Sequence, residues 1–137
     1  MRTAMCACGQ LKVHVSGEPV TVRVCNCAQC QRRTGSPFGL SSYWEPSQVQ
    51  EFKGQSKTFR RISDAGRSME FHFCPDCGGT VYWFAEVVAP KVGIAGGCFA
   101  DSQFPPPEAV AYAPQKHDWV VFPEGVRLYP TTSIHEL

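Results

Sequence analysis

The 137-residue sequence has no dominant charge: 13 Lys and Arg face 12 Asp and Glu, for a formal net charge of +1. That balance speaks against a bulk binder of nucleic acid or of an anionic membrane surface. There is no long hydrophobic run. The longest stretches, such as Val81 to Ala85, fall far short of the roughly 20 residues needed to span a bilayer. Met1 to Cys6 shows no apolar core of a secretory leader. Internal repeats, low-complexity blocks and a recognisable linker are also missing. These absences lead to the expectation of a single domain over residues 1–137, soluble and cytoplasmic, with no membrane partner.

What is present reads as strand and turn. Leu11, Val13 and Val15 alternate with Lys12, His14 and Ser16, and Val20, Val22 and Val24 alternate with Thr21, Arg23 and Cys25. Gly17-Glu18-Pro19 turns the chain between these two strands. Gln29 to Thr34 allows one or two helical turns, stopped by Gly35 and Pro37. Phe38 to Trp44 is extended. Ser56–Ser63 and Ser68–Phe73 flank a hairpin turn at Asp64-Ala65-Gly66-Arg67, and Met69, Phe71 and Phe73 share one face. Gly79–Phe84 and Val92–Ala95 complete the strands. Phe104-Pro105-Pro106-Pro107 is a loop, and the tail from about Thr131 is expected to be poorly ordered. The fold class is mostly β.

Cysteine is the residue in excess, with eight copies at 6, 8, 25, 27, 30, 74, 77 and 98. Without a secretory leader, four disulfides are disfavoured. Tight C-x-C and C-x-x-C spacings suit shared ligation of a metal instead. Cys6 and Cys8 pair with Cys74 and Cys77, whose C-x-x-C-G-G form is a zinc knuckle. Together they form a closed four-thiolate site of the structural kind. Cys25, Cys27 and Cys30 remain. Three protein ligands and one open position describe a catalytic zinc site, although Cys98 or one of His14, His72, His117 and His135 can also close it.

Directly after the three cysteines come Arg32, Arg33, Thr34 and Ser36. Zinc with three thiolates is net negative, and cations here would offset that charge and hold an anionic substrate. Thr34 can donate a hydrogen bond to the same substrate or cap the helical turn.

With these residues in place, the chain resembles the family of glutathione-dependent formaldehyde-activating enzymes, whose domain also occurs in vertebrate centromere protein V. The resemblance rests on C-x-C at 6–8, "CNCAQCQRRTGSPF" at 25–38, "FCPDCGGTVYW" at 73–83, "IAGGCFAD" at 94–101 and "HDWVVFPEGVRLYP" at 117–130. It implies a compact zinc-stabilised domain of several small coiled β-sheets and two zinc ions per chain. The structural zinc would be held by Cys6, Cys8, Cys74 and Cys77, and the catalytic zinc by Cys25, Cys27 and Cys30. It further implies a carbon–sulfur lyase that joins glutathione to formaldehyde as S-(hydroxymethyl)glutathione. Its partners would be a small glutathione-like thiol and an aldehyde, and a homodimer is left open.

A competing expectation is a non-catalytic zinc module that binds another macromolecule. Its support is the Cys74–Cys77 knuckle and the aromatics Tyr43, Trp44, Tyr82 and Trp83, which no basic run accompanies.

Overall fold

The computed structural model describes residues 1–63 and 65–133. Eleven strands and one short α-helix build it, linked by tight turns. Strands β1 (Arg2–Met5), β2 (Lys12–Val15) and β5 (Val49–Lys53) form a three-stranded antiparallel sheet in the order β1-β2-β5.

The larger sheet has eight strands. They are β3 (Thr21–Cys25), β4 (Gly39–Trp44), β6 (Lys57–Ile62), β7 (Ser68–Phe73), β8 (Thr80–Ala85), β9 (Val92–Ala95), β10 (Ala109–Ala111) and β11 (Arg127–Leu128). Their order is β11-β10-β3-β4-β9-β8-β7-β6. All neighbours are antiparallel except β10, which runs parallel to both β3 and β11. The mostly β expectation is met.

Alternation explains β2 directly: Val13 and Val15 are buried, while Lys12 and His14 lie at the margin. These valines join Leu11, Trp44, Val81, Tyr82 and Ile94 in the core between the two sheets. The opposite face of the large sheet carries a second apolar cluster of Tyr43, Phe71, Trp83, Ala85 and Val88. β3 departs from its alternating pattern. Thr21 and Arg23 are buried as well as Val22 and Val24, because the far face of β3 is also covered. The Arg23 guanidinium donates to the Ser133 carbonyl at 2.8 Å and its Nε to the Thr21 hydroxyl at 3.1 Å.

That contact joins the chain near Ser133 to β3. Tyr112 N–H donates to the Thr131 carbonyl at 3.0 Å, and Ser133 is buried. Residues 134–137, including His135, and Asp64 of the expected hairpin turn lie outside the described residues. The segment 117–130 is mostly irregular, with turns at 118–119 and 124–125 and the two-residue β11 near its end. No helix of the described chain is long and apolar enough to cross a membrane.

Candidate metal centres and the cavity beside them

The cysteines gather as two clusters. In the first, the Sγ atoms of Cys6, Cys8, Cys74 and Cys77 all lie within 4.8 Å of one another. Cys6 and Cys8 are 3.6 Å apart, and Cys8 and Cys74 are 3.7 Å apart. A tetrahedron with Zn–S bonds of about 2.3 Å has edges of about 3.8 Å, so the donor set fits such an ion.

Local turns create this spacing. Cys6 closes a loop with Leu11, whose N–H also points at Cys6 Sγ from 3.3 Å. Cys74 opens the knuckle, in which Gly78 at φ 78° returns its N–H to the Cys74 carbonyl at 2.8 Å. Asp76 N–H and the Gln10 side-chain amide reach Cys74 Sγ at 3.3 and 3.0 Å. Backbone amides of Cys8 and Gly79 hold the Cys77 thiol down at about 6. Donors aimed at sulfur favour thiolate, the form a metal binds.

The second cluster holds Cys25, Cys27 and Cys30, again with all three Sγ atoms within 4.8 Å. Cys25 ends β3. Cys27 is the N-cap of α1 (Ala28–Thr34), and its sulfur accepts the N–H of Cys30 at 3.4 Å. Cys30 sits one turn into that helix. Gly35, at φ 65°, ends the helix and donates to the Gln31 carbonyl. Hydrogen bonds with Cys25 and Cys30 push the Cys27 thiol down, and the bond to Cys27 pushes Cys25 up.

Two residues with no metal-ligand chemistry anchor the loop. Asn26 is fully buried, and its side chain and backbone N–H both donate to the Ala111 carbonyl on β10. Gln31 Nε2 donates to the Asn26 carbonyl at 2.7 Å.

Among the described residues, no fourth Cys, His, Asp or Glu joins this trio. Cys98 is in neither cluster. Its thiol points to the Thr80 carbonyl at 3.5 Å, and burial pushes it up to about 11. His14 pairs with Thr3, His72 with Ser56 and Glu70, and His117 with Gln31.

The trio forms part of the wall of a cavity of about 210 Å3. Arg33, Tyr43, Phe71 and Trp83 line it too. The Arg33 guanidinium carbon lies 4.9 Å from the Trp83 ring centre and 5.4 Å from that of Phe71. Arg32 is exposed and outside this lining. The Thr34 hydroxyl is used locally, donating to the Cys30 carbonyl at 2.8 Å and accepting Ser36 N–H at 3.1 Å.

Tyr43 carried no special weight in the sequence beyond its place among the aromatics. Its phenol lies beside Trp83 and Ser41, and burial pushes its pKa up, so it keeps its proton. The four aromatics offered as a contact surface for a partner are core residues: Tyr43, Trp44, Tyr82 and Trp83 are 5%, 0%, 7% and 1% exposed.

Fold and site together define a small β protein carrying two cysteine clusters that can each hold a metal ion, one with four donors and one with three. The sequence profile of the glutathione-dependent formaldehyde-activating enzymes matches residues 1–121, and the chain belongs to that family. No curated protein matches the chain. A crystal structure of a Rhodobacter sphaeroides protein is similar in fold, with a TM-score of 0.55 and 17% identity over 70% of this chain and 85% of that one.

Proposed function

We infer that the protein is a zinc-dependent carbon–sulfur lyase-type enzyme that adds a thiol, glutathione or a similar one, to formaldehyde or another small aldehyde. The observation that carries this reading is the trio Cys25, Cys27 and Cys30, three sulfurs within 4.8 Å of one another with no fourth described ligand, forming part of a cavity wall. The quartet of Cys6, Cys8, Cys74 and Cys77 would hold a second zinc that fastens the N-terminal strand to the knuckle after β7.

Zinc held by the trio would supply stabilisation of a substrate thiol as thiolate at neutral pH. The chain's own residues do the rest. Arg33 faces the cavity and offsets the negative charge that three cysteine thiolates and an ionised substrate bring together. Its placement against Trp83 and Phe71 fixes the guanidinium plane, so a substrate carboxylate meets a preset partner. Tyr43 is a protonated phenol on the same cavity, suited to donate a hydrogen bond to the aldehyde oxygen as negative charge develops there.

The addition makes one S–C bond, moves the carbonyl π pair onto oxygen and places one proton there. The reverse reaction returns thiol and aldehyde. Bringing the two reactants together in one cavity removes most of the entropic cost of their encounter.

The test follows the exchange between S-(hydroxymethyl)glutathione and its components by NMR, at equilibrium, with and without zinc-loaded protein. Faster exchange that is lost in Cys27→Ser supports the reading. No acceleration at any thiol concentration sinks it.

A further inference from the structure

The cavity at the three-cysteine cluster is larger and differently walled than formaldehyde requires. Its volume is about 210 Å3, whereas a dry cavity of roughly 150 Å3 already accepts benzene. Clefts that enclose drug-sized ligands begin at roughly 300 Å3, so a tripeptide thiol leaves much of its length outside.

Two kinds of wall meet here. Val24, Met69, Val87 and Ala111 are apolar, while Arg33, Arg61 and Arg67 bring cationic side chains, and among the described residues no carboxylate lines the space. Arg33 and Arg61 each set their guanidinium carbon 5.4 Å from the Phe71 ring centre.

Neighbouring arginines on β6 are used in opposite ways. Arg60 is paired with Glu70 on β7 at 2.6 Å. Arg61 lies on the cavity face with no ion pair among the described residues. The Arg33 Nε is buried without a hydrogen-bond partner. A buried N–H left unpaired is costly and is relieved by an acceptor. Guanidinium planes stack on aromatic faces and bind carboxylates with two parallel hydrogen bonds. One ligand chemistry satisfies both kinds of wall: a flat ring with an acid on it.

We propose that this cavity binds a single aromatic ring bearing a carboxylate, carried by the thiol or the aldehyde that reacts at Cys25, Cys27 and Cys30. The ring fills the apolar walls, and the carboxylate meets the guanidinium groups of Arg33 and Arg61. This deepens the reading under Proposed function and rests on the trio being the reaction centre.

The experiment titrates zinc-loaded protein with benzoate and with its neutral isostere benzamide. Tryptophan fluorescence is the readout, since Trp83 lines the cavity, and calorimetry is run in parallel. Benzoate binds, and benzamide binds roughly tenfold or more weakly. Arg61→Gln narrows that difference while leaving benzamide unchanged, because Arg33 still faces the carboxylate, and Val87→Trp, which fills the cavity, weakens both.

Two further probes locate the ring. 4-Mercaptobenzoate that binds more tightly than benzoate puts it on the thiol. 4-Formylbenzoate converted faster than 4-formylbenzamide puts it on the aldehyde. The proposal is overturned if benzoate and benzamide bind alike, if benzoate does not bind, or if neither substituted acid exceeds its comparator. A cobalt-loaded trio that responds to simple thiols while benzoate fails to bind sinks this proposal alone. Benzoate binding with no response to thiols sinks the lyase reading and leaves the cavity as an acid-binding site.

Discussion

The Arg33 guanidinium carbon sits 4.9 Å from the centre of the Trp83 ring, while Arg32, one residue earlier on the same helix, is exposed. The two cations are adjacent in sequence and unequal in the fold. Arg33→Ala is therefore expected to weaken binding of a carboxylate thiol by about tenfold, roughly 1.4 kcal/mol, and that of mercaptoethanol much less. Arg32→Ala leaves both near wild type. Titrations of each variant with both thiols check this, and equal losses for both thiols in Arg33→Ala would assign Arg33 to structure.

The two cysteine clusters should fail differently. Cys74 is fully buried where the knuckle meets the core, so Cys74→Ser is expected to unfold or insolubilise the protein, because metal binding and folding share one free energy. Cys27→Ser removes a ligand but keeps a hydroxyl that can cap α1 in place of the sulfur, since serine is a favoured N-cap. It should stay folded and lose activity. Thermal melts of both variants decide, and similar melting for both contradicts the division of roles.

Gln10 holds the four-cysteine cluster from outside. Its amide donates to Cys74 Sγ at 3.0 Å and to the Gln55 carbonyl at 2.6 Å, and its Oε1 accepts Gln55 N–H at 2.9 Å. Gln10→Ala should weaken zinc at that cluster by roughly 10- to 100-fold, as outer-shell losses do at other metal sites. Chelator competition monitored by zinc release reads the effect, and unchanged release would reduce Gln10 to a loop contact.

Tyr43→Phe deletes one hydroxyl and keeps the ring that packs beside Phe71 and Trp83. The expected result is a wild-type fold, unchanged thiol binding and a turnover lower by roughly 100-fold, the scale of a lost proton or hydrogen-bond donor. Steady-state kinetics beside a thiol titration separate the two effects. Full turnover in Tyr43→Phe moves the donor role to another group or to water.

Alternation makes β2 and β7 legible in the sequence, apolar runs bounded by turn residues do the same for β4, β6, β8 and β9, and Gly35 marks the helix stop, whereas β1 (RTAM) and β5 (VQEFK) carry no such signal. β10 and β11, with three and two residues, are too short for one. β3 was read as one-sided because nothing local reveals that its Arg23 face is covered by the chain near Ser133. The membership of both cysteine clusters followed from spacing, since ligation imposes local geometry on C-x-C and C-x-x-C. The cavity did not, because it is assembled from Arg33 on α1, Tyr43 on β4, Phe71 on β7 and Trp83 on β8. The choice between Arg32 and Arg33 turned on helix phase, which a seven-residue helix shows too briefly to read. Gln10 and Asn26 act through hydrogen bonds whose partners are remote in sequence, and a cysteine motif carries no trace of them.

The central claim is that the trio of Cys25, Cys27 and Cys30 keeps a position open for a substrate thiol. Cobalt substitution makes that position visible, because thiolate-to-metal charge-transfer absorption grows with each sulfur bound. On addition of glutathione the account predicts a saturable rise in that absorption. One proton should be released per thiol, so apparent affinity should increase with pH until the free thiol itself ionises, near pH 8.5–9. An absorption unchanged by glutathione, mercaptoethanol and 4-mercaptobenzoate alike would mean that the position is already closed, and would contradict the account.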